Sequence, residues 1–103
     1  MSSPTPSVDC RVVGAGKLPA ETGGADGLCK AIRNAAAEVA PGRRFRVEVS
    51  VLGRSALAAR VTTADGARLP EQKMAVSDRA LTRGSIERFA RSLAGEVARA
   101  PGR

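Results

Sequence analysis

Two cysteines, one cluster of arginines and a scatter of carboxylates are the residues in this chain with chemistry to offer. Cys10 and Cys29 are the only cysteines among 103 residues. An even count in a small domain permits one disulfide. Two buried thiols are the other reading, because cysteine is a common core residue. The spacing is not Cys-x-x-Cys, which excludes a thioredoxin-like exchange site. Cys29 stands near the start of an expected helix, where the dipole favours a thiolate, yet it also lies on that helix's apolar face. Arg43, Arg44 and Arg46 form the densest basic cluster, suited to phosphates or another polyanion. The competing reading places Arg43 and Arg44 at the end of the first helix, where cations are favourable, and Arg46 on the solvent side of a strand. Arg88 and Arg91, on the last helix, extend the patch if the faces align.

The absences exclude more than the presences suggest. The chain has no histidine, tryptophan or tyrosine. Without histidine there is no Ser-His or Cys-His pair and no histidine metal site. Asp9, Asp26, Glu48, Asp65, Glu71 and Asp78 stand at no telling spacing. Asp65 belongs to a turn, and Asp78 bonds locally to backbone or to Arg79, the default role of Asp in a polar loop. The stretch Val12-Val13-Gly14-Ala15-Gly16-Lys17 begins like a dinucleotide-binding turn, but Pro19 stands where a third glycine belongs, and the Walker A spacing is absent. The expectation is a chain that is not an enzyme and uses no cofactor and no metal.

These side chains are positioned by six elements. Val8 to Val13 reads as a short strand. Gly14, Gly16, Pro19 and Gly23-Gly24 mark a loop. Ala25, Leu28, Cys29, Ile32, Ala36 and Val39 recur at helical steps over about residues 25–40, with Thr22 or Gly24 as cap, and Pro41-Gly42 stops the run. Phe45, Val47, Val49 and Val51 alternate with Arg46, Glu48 and Ser50, a half-buried strand. Leu57, Ala59 and Val61 make a second. Asp65-Gly66 reads as a two-residue type I′ turn. Pro70 interrupts the returning strand and demands an edge or a bulge, with pairing resumed at about residues 72–77. Ile86, Phe89, Leu93 and Val97 line a last helix over about 84–99, capped by Thr82 or Ser85. The order is β-α-β-β-β-α. The expected fold class is α+β, a mixed or antiparallel sheet with both helices packed on one face. It forms a single domain over residues 9–100 behind a disordered Pro/Ser tail, residues 1–8.

Charge and terminus bear on partner and compartment. The net charge is +7, and fourteen of the seventeen cations are arginine. Residues 1–42 are neutral, so the surplus lies in residues 43–103. That asymmetry suits a polyanion-binding face, although an arginine-rich surface also keeps a small protein soluble. Met-Ser-Ser-Pro-Thr-Pro-Ser reads as the mature start, or the tether, of an exported bacterial protein whose signal peptide has been removed. An oxidising compartment then favours a Cys10–Cys29 bond. The expected role is a small binding or adaptor domain, periplasmic or secreted, that recognises a protein or an envelope polymer. The alternative is a cytoplasmic nucleic-acid-binding module using the arginine-rich face. Residues 25–100 have the α-β-β-β-α order of a double-stranded-RNA-binding domain, but no lysine cluster opens the last helix, where Thr82 to Arg88 contains Glu87. No run is long and apolar enough for a membrane span. The strand edge at Leu69 to Val76 leaves room for pairing with a second copy.

Overall fold

The computed structural model describes residues 8–77 and 79–100. Its elements follow the order β1 (Val8–Val13), α1 (Gly24–Val39), β2 (Phe45–Gly53), β3 (Ala56–Thr63), β4 (Gln72–Ala75) and α2 (Arg83–Arg99). The four strands form one sheet in the order β1-β2-β3-β4, parallel between β1 and β2 and antiparallel elsewhere. This is the α+β arrangement that the periodicities require. Residues 1–7, read as the tail, and Asp78 lie outside the described residues. Val8 itself is buried and pairs with Phe45, so it belongs to the sheet rather than to the tail.

Burial decides which face the helices take. Val47, Val49 and Val51 on β2, and Leu57, Ala59 and Val61 on β3, are buried. They share one core with Leu28, Ile32 and Ala36 of α1 and with Ile86, Phe89, Leu93 and Val97 of α2. The alternate residues Arg46, Glu48, Leu52 and Arg60 are exposed. Both helices therefore cover the valine face and pack against each other, and no element among the described residues covers the opposite face.

Each helix is ended by local chemistry. At α2, Ser85 N–H donates to Thr82 Oγ1 at 3.1 Å, and Thr82 N–H donates back to Ser85 Oγ at 3.4 Å. The reciprocal bonds satisfy two otherwise orphaned donors. At α1 the cap position is Gly23, one residue from either residue expected, and no side chain caps it. Gly27 in the first turn lies so close to the preceding chain that a Cβ there would sit 2.3 Å from the Thr22 carbonyl oxygen.

Two turns differ in detail from what the residues suggest. The hairpin between β3 and the returning chain closes on Thr63 and Ala67, with Thr63 N–H donating to Ala67 O at 2.8 Å and Gly66 N–H to Thr63 O at 2.9 Å. The loop thus has three residues, 64–66, with Gly66 in the left-handed region at φ 90°, rather than a two-residue Asp65-Gly66 turn. Three-residue loops of this kind need a positive φ at one position only. Asp65 instead accepts from Thr63 Oγ1 and from Ala67 N–H. Beyond it, Thr62 bridges to Arg68 while Ala59 pairs with Gln72. Leu69, Pro70 and Glu71 face only Arg60 and Val61 across this gap. Pro70 therefore sits in a bulge, as its missing N–H requires.

Cys10 and Cys29 are disulfide-bonded, with Cα atoms 5.8 Å apart and a separation of 19 positions in sequence. The bond fastens β1 to α1, and it leaves no free thiol for the reactive-cysteine reading.

The disulfide and the Asp65 loop each carry an expectation. Alkylation without reductant should label neither cysteine, even in unfolded protein, and reduction should reveal both. Replacing both cysteines by serine should cost about 2–4 kcal/mol in urea denaturation, from the loop entropy that the bond removes. A loss below about 0.5 kcal/mol would mean that the packing alone fixes β1. The second concerns acid. The Thr63 hydroxyl, then the Ala67 N–H, hold the Asp65 carboxyl below the usual carboxylate range. Its contribution is complete above the unfolded pKa and disappears as pH falls through the lower native one. Asp65→Asn should melt below the parent at neutral pH, and the gap should close in acid. A gap that is constant with pH would sink this account.

Candidate functional site

The exposed face of the sheet is built by strand alternation. β1 contributes Asp9, Arg11 and Val13, and β2 contributes Arg46, Glu48, Ser50 and Leu52. From β3 come Thr62, Arg60 and Ala58. Register sets them side by side. Asp9 lies opposite Arg46, and Arg46 opposite Thr62. Arg11 lies opposite Glu48, and Glu48 opposite Arg60. The chain after β3 adds Arg68, through its bridge to Thr62, and Glu71, through its ion pair with Arg60 at 3.8 Å. The Pro70 bulge is what allows both to reach this face, because strict alternation from Arg68 would turn Glu71 inward.

The result is a shallow depression of about 760 Å³, floored by strand backbone and walled by these arginines and carboxylates. A smaller one of about 370 Å³ continues it toward the hairpin loop, past Arg44 and Thr63. The Asp9–Arg46 ion pair spans 3.4 Å, with both side chains more than two-thirds exposed. Such solvated pairs contribute little to stability. Their carboxylates and guanidiniums therefore remain free to exchange partners. At the other end of the face, Val13 and Leu52 are the exposed large apolar residues. The surface thus grades from charged to apolar along the strands.

The five arginines singled out from the sequence do not form one patch. Arg46 lies on the open face, and Arg44 lines the smaller depression beside it. Arg43 turns the other way. Its guanidinium donates to the carbonyls of Ala98 at 3.3 Å and Ala100 at 3.0 Å, closing the C-terminus of α2 rather than that of α1. Those carbonyls lack partners within the helix, and a cation there also meets the favourable end of the dipole. Arg91 pairs with Glu38 of α1 at 3.0 Å, on the helical side of the molecule. Arg88 is exposed on the same helix. The faces do not align, so Arg88 and Arg91 cannot extend a surface built around Arg46.

Arg11, Arg60 and Arg68 were not singled out by sequence reasoning, and Asp9, Glu48 and Glu71 were set aside there as carboxylates at no telling spacing. The signal for some of them is the period-two pattern that identifies the strands, since each is the polar member of an apolar-polar alternation. Among the described residues, no group of three or more His, Cys, Asp or Glu gathers to hold a metal ion. No helix among them is long and apolar enough to cross a membrane. Chemically, the face can exchange charge-assisted hydrogen bonds with a partner of either sign.

Arg43 provides a check on this division. Arg43→Ala should destabilise the fold by about 1–2 kcal/mol through the unsatisfied α2 carbonyls. Urea denaturation measures this, and any binding at the open face should persist. A variant as stable as the parent would show that Arg43 is free to act elsewhere.

Compared with protein-family models, with curated proteins and with solved structures, the chain matches none of them.

Proposed function

We propose that this chain is a small non-catalytic binding domain that works outside the cytoplasm, periplasmic or secreted, and recognises a protein or an envelope polymer through the open face of its sheet. The observation that carries this reading is the bare face itself. Among the described residues all the helical cover lies on one side, and the other presents ordered rows of charge, with exposed Val13 and Leu52 farther along the strands. A face with both charged and apolar ends suits a macromolecular partner, in which an apolar anchor and a polar rim act together. The Cys10–Cys29 bond supports the compartment, since disulfides persist in oxidising surroundings. The non-catalytic reading is supported by the lack of histidine and of a free thiol.

A second reading, a cytoplasmic nucleic-acid binder, draws on the net charge of +7. Against it stand Asp9, Glu48 and Glu71, set among the arginines of the same face. A phosphate backbone laid there would meet like charge at three points.

The test compares charge reversal on the two sides. Oxidised protein immobilised on a support should retain a discrete partner from bacterial envelope extract. Arg46→Glu with Arg60→Glu should abolish retention, and Arg88→Glu with Arg91→Glu should leave it intact. The reverse pattern, or no retention by the parent, would overturn the proposal. So would tight binding of single-stranded DNA that weakens steeply with salt, the signature of phosphate neutralisation.

A further inference from the structure

The charges of the open face form two rows across the strands. One runs Asp9, Arg46, Thr62, Arg68, and the other Arg11, Glu48, Arg60, Glu71. Signs alternate along each row and from one row to the next at seven of these eight positions. Asp9 is beside Arg46 and Arg11, Glu48 lies between Arg11 and Arg60, and Glu71 pairs with Arg60. The eighth position is Thr62, where the alternation requires an anion and the chain supplies a neutral hydroxyl. Four arginines are thus set against three carboxylates, and one negative charge is missing.

Three cations surround that position. Arg46 is the partner of Thr62 across β2, Arg68 is its partner on the other side, and Arg60 is two residues away on the same strand and face. Opposed residues in a sheet have Cβ atoms about 4.5–5.5 Å apart, and alternate residues of a strand lie about 7 Å apart. Arg46 is paired with Asp9 and Arg60 with Glu71, but both arginines are about three-quarters exposed, so a group resting above Thr62 would compete with those carboxylates for their guanidiniums and meet Arg68 on the other side. All four residues line the larger depression. Thr62 is half-buried, and its hydroxyl can donate upward into this space.

We propose that Thr62, with Arg46, Arg60 and Arg68, forms a binding site for one carboxylate of the partner, an Asp or Glu side chain of an acidic protein segment. The proposal rests on the reading of the open face as the binding surface and assigns its central contact. A single carboxylate supplies the one missing charge, and its two oxygens suit the forked donors of arginine. A phosphodiester also carries one charge, but its neighbouring phosphates would run over Asp9, Glu48 and Glu71.

The site can be tested on the oxidised protein alone. Acetate, tri-glutamate and dimethyl phosphate are titrated separately at constant ionic strength against chloride, and followed by NMR at the Thr62 amide and the Arg46, Arg60 and Arg68 Nε–H groups. Acetate and tri-glutamate should shift these signals saturably. Thr62→Glu, which puts the missing charge in place, should weaken both by about tenfold or more, and Arg68→Ala should weaken them with the Thr62 hydroxyl intact. Thr62→Glu should also melt above Thr62→Gln at low salt, with the gap closing at high salt. Shifts that never saturate and spread over all arginines would overturn the site. So would dimethyl phosphate binding as tightly as acetate, or equal melting of the Glu and Gln variants. If acetate binds but no envelope partner is retained, the site stands and the wider reading falls. If a partner is retained through the open face but acetate does not bind, the wider reading stands and this site falls.

Discussion

The contact between α1 and α2 on the valine face of the sheet governs the rest of the molecule. With two phenylalanines and no larger aromatic residue, the core cannot be filled by bulk. It is filled by approach. Ala35 and Ala36 of α1 and Ala90 and Ala94 of α2 are buried, and such small side chains let helix backbones come close enough to keep packing dense. Leu28, Ile32, Leu93 and Val97, fully or almost fully buried, then reach down to β2 and β3. Arg43 reinforces the arrangement from the α1–β2 connection by closing the end of α2. Because both helices are committed to one side, nothing in the described chain remains to cover the other.

That division explains which parts of the sequence could be read directly. Element order, the strand Phe45 to Val51, the last helix and the irregularity at Pro70 were legible because each is a local pattern of apolar spacing or a proline constraint. The charged face was legible only in halves. The alternation showed that Arg46, Glu48 and Arg60 point away from the core, but their neighbours depend on register. Register between β1 and β2 depends in turn on where a long crossover returns the chain. Adjacency in sequence misled in the opposite direction. Arg43, Arg44 and Arg46 are nearly consecutive, yet the strand begins between them. Arg43 is left to the helix, Arg44 to the sheet's end and Arg46 to its open face. Asp65-Gly66 shows the same limit at smaller scale. The dipeptide marks a hairpin, but the hydroxyl of Thr63 selects a loop one residue longer.

The sheet's two edges are guarded differently. β4 has four residues, enters from the Pro70 bulge and carries the exposed Lys73. Short length, a bulge and a lysine all discourage edge-to-edge pairing. β1 is longer and parallel to its neighbour, a slightly weaker ladder per residue. Its security comes from the sulfur bridge to α1 and from Val8 in the core.

The bridge also determines how the domain bears load. A pull on the chain at Val8 would peel away two residues before it met Cys10. From there the strain passes through a covalent bond into α1, bypassing the β1–β2 ladder. The helix is seated in the core beside α2, so further extension would have to drag the hydrophobic layer apart rather than unzip a strand. Reduction would return the whole of β1 to the weaker, unzipping mode. One sulfur–sulfur bond thus sets whether the domain yields at its edge or at its centre.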